Sequence, residues 1–258
     1  MTITLTTDFG LKDSYVGTMK GAILSINPKA DIIDISHMVS QGNVIEGAYI
    51  MHSACSYFPD KTIHVGVVDP GVGTPRSPIL IETDRFYFIG PDNGLLTLAA
   101  RDSKVRRVIK LIAKKYFNMP VSRTFHGRDV FAPVAAHLSA GVMPTEFGPL
   151  LKSGPKLINM PRHSSKGGII RGVIIHADSY GNLISNIPSG AIRNANVCIE
   201  IAGRRITGLK PTYGGARRNE LIALIGSADL LEIAVNMGSA ADTIKAGRGD
   251  AITIKPLK

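Results

Sequence analysis

The chain has 258 residues, which fits one large or two modest domains and is ample for a hydrophobic core. Apolar residues make up 44% and charged residues 19%, with 27 glycines and 15 prolines, so a disordered or fibrous protein is excluded. The formal net charge is +10: up to residue 150 there are 15 basic and 13 acidic side chains, and beyond it 15 and 7.

No stretch approaches the roughly 18 consecutive apolar residues of a membrane span, so no membrane partner is expected. The start, MTITLTTDFG, lacks the basic and apolar regions of a secretory signal. Cys55 and Cys198 have no CxxC partner, so neither a disulfide framework nor a cysteine metal site is expected, and a cytoplasmic setting follows. A basic surface invites a nucleic-acid reading, and the densest run is 101–115, RDSKVRRVIKLIAKK. That run alternates its charges with Val105, Val108, Ile109 and Ile112, the pattern of a solvated face on an amphipathic segment. No aromatic RNA-binding motif, clamp loop or zinc-finger spacing accompanies it and tryptophan is absent, so nucleic acid is not expected as a partner.

Residues 3–6 read as a strand ending in the polar turn Thr7-Asp8-Phe9-Gly10. Helical spacing follows through Tyr15, Met19, Ile23 and Ile26 and stops at Asn27-Pro28. Residues 32–35 read as a second strand, after which Asn43 caps a helix through Val44, Ala48, Met51 and Cys55. Residues 62–68, TIHVGVV, are rich in β-branched side chains and run into Asp69-Pro70-Gly71-Val72-Gly73. Residues 86–89 form a further strand delivered into Gly90-Pro91-Asp92-Asn93-Gly94. A helix is expected over 129–140 with Gly141 just past its end. Strands alternating with helices predict an α/β domain with a mostly parallel sheet covered on both faces.

Residues 152–168 change texture, with two prolines and a Ser-Ser-Lys-Gly-Gly run, and read as a linker. Beyond it come short strands at 169–176, Val197–Ile201, 220–225, 231–235 and 251–254, with a hairpin turn at Gly203-Arg204. The expected layout is an α/β domain over 1–155 and a small all-β, barrel-like domain over 166–258.

In open α/β sheets, ligands bind beyond the carboxyl ends of the strands. Asp8, Asp69 and Asp92 all occupy such ends. Aspartate is common in turns, so any one of them alone means little; three at matching positions mean more. His126, in Thr124-Phe125-His126-Gly127-Arg128-Asp129, is an acid–base candidate in a polar loop before a helix. Arg76, seven positions after Asp69, can fold back to pair with that carboxylate, with a surface ion pair as the alternative. Asp8-Phe9-Gly10 lacks the other kinase motifs, Gly71-Val72-Gly73 lacks the third glycine of a dinucleotide fingerprint, and no phosphate-cradling loop exists. The seven histidines form no H-x₃-H or HExxH pair, so no metal is expected.

The blocks TTDFGLKDSYVGTMKG, VVDPGVGTPR, GPDNG, TFHGRDVFAP, DSYGN and GSADLLEIAVNMG occur here in the order found in the S-adenosylmethionine hydrolases, the hydroxide adenosyltransferases. The chain resembles that family from residue 6 to residue 238; each block alone is weak, and the ordered set is specific. The family is related to the fluorinase and chlorinase that attack the same substrate with halide. The resemblance implies an N-terminal α/β domain, a C-terminal barrel-like domain and a homotrimer with substrate between subunits. It implies hydrolysis of S-adenosylmethionine to adenosine and L-methionine, with no metal or other cofactor. The family's catalytic Asp–Arg–His set falls on Asp69, Arg76 and His126. Its pattern places Asp8 on the ribose hydroxyls, and Asn182, Ser227, Glu232 and Val235 against the adenosine. Asp13 and Asp178 are its candidates for the methionine ammonium.

Two departures bear on the branch. The halide enzymes carry other residues at the positions of Asp69 and His126-Gly127, and a carboxylate at Asp69 repels an incoming anion. They also have an arginine where this chain has Ala228, which leaves the methionine carboxylate without that partner. The competing expectations are a non-catalytic adenosine or S-adenosylmethionine binder, a basic RNA-associated protein and, less favoured, a halogenase.

Overall fold

A computed structural model describes residues 1–257, and the chain divides between Asn159 and Met160 into two compact units. Each is held by its own apolar core.

In the first unit, β1 (Thr2–Thr7) leads through α1 (Tyr15–Ile26) to β2 (Asp31–Ser36), and then through α2 (Val44–Cys55) to β3 (Ile63–Val67). There follow β4 (Pro78–Thr83), β5 (Tyr87–Pro91), a short α3 (Thr97–Ala100), β6 (Val105–Lys110) and α4 (Ala132–Ser139). The sheet order is β2-β1-β3-β5-β4-β6. Side-chain alternation decides what each face buries. Ile3 and Leu5 of β1 and Ile63 and Val65 of β3 point to one face, where they pack on Met19 and Ile23 of α1 and on α4. The other face is covered by α2 and α3 and needs glycine to let α2 approach. A Cβ on Gly66 would lie 2.4 Å from Met51 Cε, and one on Gly90 would lie 2.3 Å from the Gly66 carbonyl oxygen. On this face Thr4 Oγ1 lies 2.8 Å from His64 Nδ1. The His64 ring is walled by Phe58, Phe86 and Phe88.

Asn43 caps α2 as its sequence predicts: its side chain accepts the Glu46 N–H at 3.2 Å, and Glu46 Oε2 accepts in return from Asn43 Nδ2 and from the Ser40 N–H.

The sheet is mostly parallel, as expected, but it is mixed, because one strand runs against the other five. The pairings β1–β2, β1–β3 and β3–β5 are parallel, while β4 runs against both β5 and β6. Residues 84–86 joining β4 to β5 are too few for a crossover, so the two strands fold back as a hairpin. The strand Pro78–Thr83 has no counterpart in the sequence reading, and β6 lies inside the basic run 101–115 as an edge strand. Val108 and Ile109 are buried there while Val105, Arg106 and Lys110 stay exposed.

The helix expected over 129–140 starts differently. Residues Gly127–Phe131 form a π turn, and α4 proper begins at Ala132. Pro133 explains the change, because it has no N–H to give the Asp129 carbonyl. That carbonyl accepts the Asn118 N–H instead, at 2.9 Å, tying the preceding loop to the helix start. Past the helix, Gly141 takes φ +101°.

The second unit is antiparallel throughout. Its strands are β7 (Ser164–Lys166), β8 (Ile169–Ala177), β9 (Leu183–Pro188), β10 (Val197–Ile201), β11 (Arg204–Thr207), β12 (Leu221–Ile225) and β13 (Leu230–Val235). A short α5 (Ala240–Ile244) precedes β14 (Ala251–Pro256). The order is β11-β10-β14-β8-β9-β13-β12, with β7 added on β8. The sheet nearly closes, since Lys210, just past β11, donates its N–H to Ala223 of β12 at 2.8 Å. Ile199, Leu231, Ile233, Ile252 and Ile254 fill the interior. Cys55 and Cys198 are both free thiols, and among the described residues no helix is long and apolar enough to cross a membrane.

Burial drives the His64 imidazole down to about 4. Its folded-state value lies below the unfolded value near 6.5, so the unfolded chain takes the proton first, and stability is full above pH 6.5 and declines toward pH 4. We expect a loss of roughly 3 kcal/mol across that window in urea unfolding, and a flatter profile for His64→Gln. Separately, Gly90→Ala should lower the unfolding free energy by at least about 3 kcal/mol at neutral pH, because the clash is with backbone.

Candidate active site

The parallel neighbours β1, β3 and β5 end on one edge of the sheet, so their terminal turns lie side by side. The strand order reverses at β1, with β2 on one flank and β3 on the other. Crevices form at such a reversal. Asp8 follows β1, Asp69 follows β3 and Asp92 follows β5.

The three carboxylates have different duties. Asp92 is buried, and its Oδ1 accepts the Lys156 N–H at 2.7 Å, so it ties down a later segment. Its neighbour Asn93 donates from Nδ2 to the Val68 carbonyl at 2.8 Å, bracing the residue before Asp69. Asp8 is half-buried, and its Oδ2 accepts the Gly42 N–H at 2.8 Å just ahead of α2.

Asp69 is joined to Arg76. Arg76 Nε donates to Asp69 Oδ1 at 3.0 Å, and Nη2 donates to Oδ2 in a shorter contact. Both side chains are only 6% exposed, so this is not the surface pair of the alternative reading. The same Nη2 lies 2.8 Å from His126 Nδ1, and the guanidinium carbon sits 5.5 Å over the Phe131 ring. Arg76 Nη1 is buried without a hydrogen-bond partner.

The loop that lets Arg76 fold back is a chain of tight turns. Val72 donates to the Asp69 carbonyl at 3.2 Å, and Thr74 donates to the Gly71 carbonyl from its N–H at 3.1 Å and its hydroxyl at 2.6 Å. Gly73 has φ +78°, and a Cβ there would lie 2.7 Å from the Arg123 carbonyl oxygen. Only glycine lets this loop press against the segment that carries His126.

His126 opens the π turn before α4. Its segment is gathered by Asp129, which is fully buried and bonded by Arg128 at 2.6 and 2.9 Å and by the Ser122 N–H at 2.8 Å. Burial pushes the Asp129 carboxyl upward, but Arg128 and Ser122 hold it below its ordinary value. Gly127 makes room for the rings of Phe9 and Phe125, which pack with Tyr15 at centroid distances of 5.3 to 5.8 Å. His126 titrates below its ordinary value because of burial first and the Arg76 charge second, opposed by Asp69 and Asp129.

Thus Asp69, Arg76 and His126 are brought into contact, Asp8 lies on the same sheet edge, and Asp13 is an exposed residue between β1 and α1. The sequence reading missed Phe131 under Arg76 and the organising part of Asp129. The Arg128-Asp129 pair, one glycine beyond His126, was the available signal.

In the second unit, Asp178 and Asn182 close one turn. Asp178 Oδ1 accepts the Asn182 N–H and Oδ2 accepts from its Nδ2, both at 2.9 Å. The left-handed residue is Gly181, at φ +79°, where a Cβ would lie 2.1 Å from Ser239 Oγ. Glu232 is buried and accepts the Tyr213 hydroxyl at 2.6 Å. Burial and the nearby Asp178 raise Glu232 above its ordinary value. Val235 packs its side chain in the core, leaving only its backbone for a ligand, and Ser227 is exposed in the β12–β13 turn. Tyr213 was not singled out from sequence, since one tyrosine in a Gly-rich loop carries no pattern. A hollow of about 510 Å³ beside it is lined by Lys210, Gly214, Gly215, Ala216, Arg217 and Glu220. Among the described residues no three His, Cys, Asp or Glu side chains converge as a metal set.

Residues 3–148 match the SAM hydroxide adenosyltransferase N-terminal domain, and residues 172–253 match the C-terminal domain of the same family. The chain is 36% identical to an (R)-S-adenosyl-L-methionine hydrolase of Methanocaldococcus jannaschii, over 98% of this chain and 95% of that one. A fluorinase of an Actinoplanes species is 25% identical over 98% and 96% of the two chains. The crystal structure of an uncharacterized conserved protein from Thermotoga maritima superposes with a TM-score of 0.91 at 35% identity, covering 99% of this chain and 100% of that one. With both domains and near full-length relatives matched, the chain belongs to the SAM hydroxide adenosyltransferase family.

Proposed function

We propose that this protein hydrolyses (R)-S-adenosyl-L-methionine to adenosine and L-methionine, with Asp69, Arg76 and His126 as its catalytic residues. The observation that carries the reading is the buried Asp69–Arg76–His126 contact in a chain of this family. Water oxygen bonds to C5′, the C5′–S bond breaks with its electron pair on sulfur, and water gives up one proton. The sulfonium leaves as a neutral thioether, so no acid is needed for it. The protein's work is to orient water, exclude bulk solvent and take that proton.

Arg76 decides which group takes it. Guanidinium has donors and no acceptor, so His126 Nδ1 must be the acceptor of their contact. In the neutral ring the proton then sits on Nε2, and His126 offers water a donor rather than a base. Asp69 is left as the proton acceptor. Its carboxylate keeps lone pairs beyond the two that Arg76 uses. A weak base suffices, because water grows strongly acidic only as the C5′–O bond forms. Asp8 is read as the ribose ligand, Asn182, Ser227, Glu232 and Val235 as adenosine contacts, and Asp13 and Asp178 as ligands of the methionine ammonium. We further infer a cytoplasmic homotrimer with the substrate between subunits, in keeping with the family resemblance. Light scattering at about three times the 27.5 kDa chain mass tests the assembly. Halide in place of water is disfavoured, since the Asp69 carboxylate would flank the incoming anion.

The direct test is incubation with S-adenosylmethionine in ¹⁸O-water. Equal amounts of adenosine and methionine, with the label in the adenosine 5′-hydroxyl, are expected; no adenosine above the uncatalysed rate from folded protein defeats the reading. Asp69→Asn should lower kcat by about 10³-fold or more, and Arg76→Lys, which keeps the charge but loses the fork, by about 10²-fold. His126→Asn, whose Oδ1 can still accept from Arg76, should cost only about tenfold.

The pH profile follows from the lowered His126. Above its titration the ring is neutral and Nδ1 is free to accept; below it Nδ1 carries a proton and turns Arg76 away. The acid limb of kcat/KM should therefore fall below pH 6.5, with no histidine limb on the alkaline side. A free enzyme of charge +10 also repels a substrate with one net positive charge, so kcat/KM should rise a few-fold with ionic strength. A decrease with salt would refute that repulsion.

A further inference from the structure

The turn carrying Asp8 is held by a side chain that no step above uses. His37 is 3% exposed and follows β2. Its carbonyl accepts the Gly10 N–H at 2.8 Å, and its Nδ1 lies 2.8 Å from Thr7 Oγ1. Thr7 Oγ1 also accepts the Phe9 N–H at 3.3 Å, so that hydroxyl spans Asp8 from one side to the other. On the far side of the ring, Nε2 lies 3.0 Å from Asp34 Oδ1, within ion-pair distance but without a hydrogen bond. Asp34 in turn holds Lys20 Nζ at 2.6 Å.

The chain of contacts has one polarity. Burial pushes the Asp34 carboxyl up, but Lys20 and His37 together hold it below its ordinary value, so it stands as a carboxylate that only accepts. The carboxylate beside Nε2 makes that nitrogen the better seat for the ring proton, and in that tautomer Nδ1 is an acceptor. The Thr7 hydroxyl then donates to Nδ1 and keeps its lone pairs for the Phe9 N–H. Each group has one role, and the Thr7 rotamer is fixed by it. Asp8 spends one contact on the Gly42 N–H, leaving Oδ1 and the rest of Oδ2 for a ligand.

We propose that His37 is a positioning residue for substrate binding. By fixing Thr7 and Gly10 on either side of Asp8, it holds the Asp8 carboxylate in the orientation that meets the vicinal diol of a ribose. This rests on the reading of Asp8 as the ribose ligand, but the hold on the turn exists without substrate and can be measured without it.

The experiment compares wild type, His37→Ala, His37→Asn and Thr7→Val in three measurements: steady-state hydrolysis of S-adenosylmethionine, calorimetric binding of adenosine, and amide hydrogen exchange at Phe9 and Gly10 in the free protein. His37→Ala and Thr7→Val should raise KM and weaken adenosine binding by about tenfold, the equivalent of one hydrogen bond, with kcat within about threefold of wild type. Exchange at Phe9 should quicken by about tenfold in both. His37→Asn, whose Oδ1 can take the Thr7 hydroxyl, should recover most of each loss. Should His37→Ala not fold, Thr7→Val carries the same comparison. A merely structural histidine would lower the yield of active protein at unchanged KM, and that result, or unaltered exchange at Phe9, overturns the proposal. If wild type neither turns over S-adenosylmethionine nor binds adenosine, the functional reading fails, and the exchange comparison still decides whether His37 holds the turn.

Discussion

Arg76 can only donate, and the state of its neighbours follows from that. Bonded to both oxygens of Asp69 and to Nδ1 of His126, it fixes the orientation of one and sets the tautomer of the other. A lysine would supply the charge without the fork and could not serve both partners in one plane. The arrangement is only 6% exposed at Asp69 and Arg76, where charges unpaired would be costly, so each partner enforces the presence of the other.

The scaffold makes this contact possible by adjacency. Three parallel strands side by side bring to one sheet edge turns that are far apart in the chain. Two glycines then allow the remaining approach: Gly73 lets the Asp69–Arg76 loop lie on the Arg123 carbonyl, and Gly127 admits the Phe9 and Phe125 rings. Pro133 contributes by subtraction, since the carbonyl it leaves free anchors Asn118 and steadies the loop that ends at His126. These supports on both sides of the contact are what let the carboxylate, the guanidinium and the imidazole be placed rather than merely present.

Much of the architecture was legible along the chain. The helices Tyr15–Ile26 and Val44–Cys55 show helical spacing, and the Asn43 cap is written in its own residue type. Strands rich in β-branched residues, such as Ile63–Val67, stood out for the same reason. Pro78–Thr83 did not, because a strand that opens on proline and ends on Glu82-Thr83 shares its composition with a loop. Leu183–Pro188 was hidden likewise, ending in Asn186, Ile187 and a proline, and Val105–Lys110 was masked by charges that an edge strand can keep in water. The mixed sheet follows from the first of these: without β4, nothing in the pattern announces an antiparallel hairpin.

The site divides in the same way. By itself the sequence determined which residues were available: strand-end aspartates, an arginine within folding distance of one of them, a histidine in a polar loop, and an ordered set of blocks that marked the family. Position at a strand end could not rank Asp8, Asp69 and Asp92, and only the family resemblance told them apart, because a carboxylate's duty depends on which donors surround it, and those come from remote segments. Tertiary structure gave Asp92 to the Lys156 N–H, Asp69 to Arg76 and Asp8 to the Gly42 N–H. Hydrogen bonding is local in space and blind to chain order, which is why the residues could be read from the string while their partners appeared only on folding.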